Sequence, residues 1–349
     1  MHLCWLPPDW DYIQPMLSRS PSGYPEKQMI THNITQVAVN FAEYSYAQMW
    51  WGPEKQPDDS DVATPSKGRK AVIWLHPYSY QNGYHADYAQ GATAMYERLA
   101  KAGYVVIAFD QVGFGLRTLQ GTRFYQRYPR WSKLGRMVRD VSSAVDVLLS
   151  DQNDYTLATH PSGLPVGKYM ATDWPAIDPK HIYVAGYALG GLVSLYANAL
   201  EPRLAGAASI AGISPLRSQE NAHRTGGNDL ISKWHSIQPR LGWYEGVEGA
   251  KIPYDYDDVI AVAKKPTLVI APEADRTADH PALLALLARA KLKLGSNDGL
   301  LSVNTTSYEP PMPNPTGSHA SPAVGINRLD DAHQSTLVEW LDWVSAPKL

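Results

Sequence analysis

The chain has 349 residues and a hydrophobic content of 44%, enough to bury one large α/β core or two smaller ones. A net charge of −3 argues against nucleic acid or an anionic membrane surface as the main partner, and no apolar run reaches the ~18 residues a membrane span needs. A single cysteine, Cys4, excludes an internal disulfide, and with no basic cluster around it Cys4 reads as a passive residue rather than a nucleophile.

Residues 1–34 mix proline with polar residues without a period and read as an irregular N-terminal arm. The arm lacks the charged and apolar segments of a signal peptide, which leaves the compartment open: cytoplasmic by default, secreted if a leader has been removed. Residues 35–50 read as a strand region and 52–69 as a polar loop rich in Pro, Asp and Ser. Lys70 to Pro77, "KAVIWLHP", is a short apolar run of strand length and β-branched content. A helix closed by glycine is expected over 86–103 and a strand over 104–110. Residues 113–135 form a small excursion. The clearest helix is 136–150, where Met137, Val138, Val141, Ala144, Val145, Leu148 and Leu149 recur at helical spacing.

Beyond it, 180–187 reads as a strand and 190–201 as a helix, followed by strands over 204–212 and 265–272. The stretch 213–264 breaks the alternation and reads as a lid or cap over the sheet. A helix over 279–295, a strand over 300–309 and a final helix over 330–344 complete the chain, with Asp330 or Asp331 as the cap of the last helix. Continuously apolar strands alternating with helices predict an α/β fold: a mostly parallel central sheet with helices on both faces, in a single domain over 1–349.

The chemistry concentrates at Gly186-Tyr187-Ala188-Leu189-Gly190. This segment follows a strand and opens a helix, the context in which a nucleophile elbow thrusts one side chain above a parallel sheet. The glycines sit where a β-carbon would crowd the turn, and Gly191 gives further room. A tight strand-to-helix turn without chemistry is the plain alternative. The central residue is alanine.

With "VIWLHPYSY", "VVIAFDQVGFG", "GYALGG", "TLVIAPEADRTAD" and the last helix in place, the chain resembles the α/β-hydrolase superfamily over about residues 35–346. Within it, the chain looks like the acetylxylan-esterase-like and dienelactone-hydrolase-like carbohydrate esterases. The resemblance makes Ala188 the nucleophile position, where the superfamily carries serine. Asp275, three residues beyond its strand, is the acid, and Asp279 is the runner-up that fits a helix cap better. The histidine falls between the last strand and the last helix, at His333 or at His319, with His235 in the lid as a third candidate. The chain order nucleophile, acid, histidine holds for either of the first two. An oxyanion hole needs two backbone N–H groups. Leu189 follows the nucleophile, and by resemblance Tyr78, in His76-Pro77-Tyr78-Ser79, supplies the other. His76 reads as a strand-end residue bridging loops.

"FDQVGFGLR" lacks the glycine spacing and the Lys-Ser/Thr of a phosphate loop, so no cofactor is expected. Asp110 there reads as a loop-organising carboxylate. Arg117, Arg123, Arg127 and Arg130 read as salt-bridged or solvated, and only convergence on the pocket would make them favour an acidic sugar. No metal-ligand set stands out. The expected function is a serine-type esterase acting on a small-molecule or carbohydrate ester, inactive as written because Ala188 lacks the hydroxyl, with its oligomeric state open. Two alternatives remain: a non-catalytic binding protein on a hydrolase fold, and a lipase or peptidase of that fold. The lid is polar and aromatic rather than amphipathic, and 21 Tyr and 11 Trp against 4 Phe suit half-wet grooves, including those that bind sugars.

Overall fold

The computed structural model describes residues 29–31, 34–41, 45–53, 68–78, 83–85, 95–150, 175–217, 236–241, 252–273, 275, 278–305 and 329–346. Among them are nine strands: β1 Met29–Thr31, β2 Ile34–Phe41, β3 Ser45–Trp51, β4 Arg69–Leu75, β5 Val105–Phe109, β6 Ile177–Tyr187, β7 Gly206–Ile210, β8 Thr267–Ile270 and β9 Leu301–Asn304. They form one sheet in the order β1-β2-β3-β5-β4-β6-β7-β8-β9. The first three strands join antiparallel, and every pair from β5 through β9 is parallel.

The parallel strands are apolar throughout because both faces are covered. In β4, Ala71, Ile73 and Leu75 enter one core while Val72 and Trp74 enter the other. The first core takes the apolar sides of α4 Lys133–Leu149, α5 Leu189–Leu200, α6 Tyr256–Ala263 and α7 His280–Leu294. The second takes α1 Met95–Lys101 and α8 Asp331–Val344. Two short helices, α2 Thr118–Thr122 and α3 Phe124–Arg127, lie in the excursion before α4.

Several expectations shift. The strand region at 35–50 is a hairpin of two strands, β2 and β3. The helix expected over 86–103 is described only as α1, and residues 86–94 lie outside the described residues. In α4 the predicted stripe is buried except Leu149, which sits beside the C-cap and is 38% exposed. The last part of the 213–264 excursion is α6, which packs against α5 and α7 in the helical layer. Asp330, not Asp331, caps α8 by accepting the His333 N–H at 2.8 Å.

Candidate active site

The carboxyl ends of β6 to β9 are brought level by a relay of backbone bonds. Ala188 N–H donates to Ile210 O, Ala211 N–H to Ile270 O and Ala271 N–H to Asn304 O, at 2.8–2.9 Å. At this edge the chain leaves β6 through Ala188, with φ 49° and ψ −112°, and enters α5. Ala211, which ends β7 next door, also has positive φ, at 47°. Both are conformations that residues with a β-carbon rarely adopt, so strain gathers at this edge.

The glycines around the turn have steric causes. A β-carbon on Gly190 would stand 2.0 Å from the Leu75 carbonyl oxygen, and one on Gly186 would stand 2.4 Å from the Gly190 carbonyl carbon. The turn is therefore clamped between its own strand and the end of β4. Its outcome is a half-buried Ala188 at the head of α5, with the Leu189 N–H in the first turn, where no intrahelical acceptor exists.

The chain leaves β4 into His76-Pro77-Tyr78. His76 is fully buried, and its Nε2 accepts the Gln111 N–H at 3.0 Å. That leaves the proton on Nδ1, which donates to Pro77 O at 2.6 Å. Burial pushes its pKa below the usual histidine value, in keeping with a neutral ring that braces two loops. Tyr78 is exposed, with its ring edge-on to Phe114. Asp110, in the next loop, accepts the N–H groups of Tyr84 and Leu116 at 3.0 and 2.8 Å. Gly83 and Gly115 wrap it at positive φ. Arg117 is buried in an ion pair with Asp140 at 2.6 Å.

Asp275 is 7% exposed, beyond β8, with its N–H donating to Pro272 O at 3.3 Å. Asp279 instead accepts the Ala282 N–H at 3.1 Å and caps α7. His333 is buried in the first turn of α8. The far end of α8 is tied to the amino edge of the sheet by Lys70 to Ser345 and Tyr104 to Asp342, at 2.7 and 2.8 Å. Its first turn therefore lies toward the carboxyl edge, on the side of Ala188 and Asp275. The His333 Nδ1 lies 3.0 Å from Asp330 Oδ1. His319, His235 and Ser79 lie outside the described residues.

The strand order, the crossover at β4–β5 and a strained turn after β6 decide the fold. The chain has the α/β-hydrolase fold. No family model matches the sequence, and no curated protein matches it. Solved structures of this fold do. A promiscuous CE15 esterase from a marine bacterial metagenome superposes with a TM-score of 0.57 and 14% identity, over 91% of this chain and 83% of that one. The glucuronoyl esterase from Solibacter usitatus gives 0.56 and 11%, over 90% and 83%. The methylesterase BT1017 gives 0.54 and 14%, over 91% of this chain but only 56% of that longer one. At such identities the likeness is one of fold.

One group was not foreseen from the sequence. Tyr196 on α5 donates to the Tyr254 hydroxyl at 3.1 Å, and Gln238 Nε2 reaches both oxygens at 3.4 and 3.3 Å. Burial, then the neighbouring Tyr196, Tyr254 and Tyr78, push the Tyr256 phenol well above its usual range. Its only signal was tyrosine richness. Among the described residues, no three His, Cys, Asp or Glu side chains converge as metal ligands.

Proposed function

We propose that this is the site of a serine-type carboxylic-ester hydrolase, built for a carbohydrate ester such as an acetyl group, with alanine standing where the nucleophile belongs. The observation that carries the reading is the conformation of Ala188. A non-glycine residue at φ 49°, ψ −112° costs ~1–3 kcal/mol, and such strain clusters at active sites. Asp275 is the acid and His333 the base, with His319 as the alternative. The Leu189 and Tyr78 N–H groups form the oxyanion hole. With serine at 188, histidine would take the hydroxyl proton as Oγ attacks the carbonyl, and water would release the acyl-enzyme. With alanine, ester binds and turnover falls by a factor on the order of a million, leaving what the oxyanion hole alone supplies. Two of the solved structures named above are a methylesterase and a glucuronoyl esterase, names of ester hydrolases. The choice of a sugar rests on the abundant Tyr and Trp.

A second reading is a non-catalytic ligand-binding protein on this fold. Ala188 itself favours it, since alanine carries no nucleophile. Ala188→Ser separates the two. The serine variant, assayed on p-nitrophenyl acetate and on acetylated xylan, is expected to hydrolyse ester and to be blocked by a serine-directed fluorophosphonate. No activity on a broad ester panel, in a variant that melts like the parent, would leave only the binding reading.

A further inference from the structure

Residues 129–132, which lead into α4, face residues 238–241 and 253–254 across a cleft of about 340 Å3. That volume lies within the ~300–1,000 Å3 usual for small-ligand sites. Arg130 and Arg240 both line it, both are exposed, and among the described residues neither guanidinium has a partner. Elsewhere arginines pair with carboxylates, as Arg98, Arg117, Arg136, Arg203 and Arg289 do. Among the described residues, no acidic side chain lines the cleft. Two uncompensated guanidinium groups thus share one concavity on a chain of net negative charge. Planar guanidinium forks match a carboxylate in geometry, and the positive end of the 17-residue α4, capped at Ser132, adds to the same field.

The remaining lining is not that of a bare anion site. Trp131 is 48% exposed, an aromatic side chain with solvent-accessible area in the cleft lining. The Tyr254 hydroxyl and the Gln238 amide, joined to Tyr196, supply donors and acceptors suited to a hydroxyl-rich ligand. Tyr196 lies eight residues along α5 from Ala188, ~12 Å at the helical rise. The Tyr78 loop is close enough to act on Tyr256. The cleft's Tyr254 is thus hydrogen-bonded to the helix that the elbow opens.

We propose that this cleft binds a carboxylate-bearing sugar unit, with Arg130 and Arg240 gripping the carboxylate and Trp131 packed on the ring face, and so holds an acidic carbohydrate chain beside the elbow. Its use in catalysis rests on the esterase reading above, but the binding itself does not. Calorimetric titration of the chain as it stands, with Ala188 in place, tests it. Digalacturonate is expected to bind saturably, cellobiose at least tenfold more weakly, and added salt should weaken only the acid. Arg130→Gln/Arg240→Gln should lose at least tenfold, and Trp131→Ala about fivefold. These side chains are exposed, so the melting curves of the variants should match the parent. No binding of digalacturonate, equal binding of cellobiose, an unaffected double variant, or displacement by equimolar inorganic sulfate would each overturn the proposal. An Ala188→Ser variant that binds digalacturonate and cleaves nothing would sink the esterase reading alone. One that cleaves esters without binding digalacturonate would sink the cleft alone.

Discussion

At the scale of single residues, Ala188 is held in a backbone conformation that glycine adopts more readily. Replacing it with glycine removes ~1–3 kcal/mol of strain and adds back ~0.4–1 kcal/mol of unfolded-chain entropy. Ala188→Gly is therefore expected to stabilise the fold by about 1 kcal/mol in urea denaturation, whereas a loss of that size would mean the turn is relaxed with alanine. This residue was legible in the sequence because the flanking Gly186 and Gly190 have a steric cause, with backbone carbonyl atoms in the place of a β-carbon. Asp110 was legible for a similar reason, since the glycines of its loop betray a carboxylate gathering backbone N–H groups. Arg130 and Arg240 were not. They stand far apart in the chain, and their convergence depends on how two loops meet over the sheet, which leaves no local pattern. The burial of Arg117 against Asp140 was equally hidden, although the sequence did suggest a salt bridge there.

Among the elements, α4 was readable because its buried stripe repeats at helical spacing, and its start moved earlier only because Ser132 caps it by accepting the Gly135 N–H at 2.9 Å. The β2–β3 hairpin was missed because its connector, Ala42-Glu43-Tyr44, contains none of the residues that mark turns. Elements also meet through charge. At the end of α5, Arg203 holds Glu201 at 2.8 Å and reaches Asp146 on α4 at 2.6 Å. The Arg203 hydrogen bond lowers the Glu201 pKa from 4.5 to about 2. A depressed carboxylate pKa stabilises the fold above pH 4.5, and that contribution is lost as pH falls from 4.5 toward 2. With Arg203 partly solvated, it amounts to about 1 kcal/mol. Glu201→Gln should lose that stability at pH 7 and fall less steeply than the parent between pH 4.5 and pH 2. Acid-limb slopes that coincide would show the pair contributes nothing.

At the scale of the whole molecule, the described residues form two cores divided by the sheet, and α8 covers much of the smaller one. Leu337, Trp340 and Leu341 are all nearly fully buried there. At ~1.5–3 kcal/mol each, their exposure would remove roughly 5–9 kcal/mol, comparable to the ~5–15 kcal/mol that holds a domain folded. A chain ending at residue 328 should therefore lack a cooperative melt and bind a hydrophobic dye, and a sharp transition would show that α8 is dispensable. The overall architecture was legible because parallel strands covered on both faces announce themselves as unbroken apolar runs between helices. Over 213–264 the sequence showed only a break in that alternation, read as a lid or cap, since polar loops carry no period.

The clamp on Gly190 has an evolutionary consequence. Its glycine is demanded by the carbonyl of Leu75, not by chemistry at 188. Selection for folding alone would preserve the elbow after selection for turnover had ceased. Every alanine codon differs from a serine codon by its first base, so a lineage carrying this chain stays a single point mutation away from a nucleophile on a turn already shaped to present it.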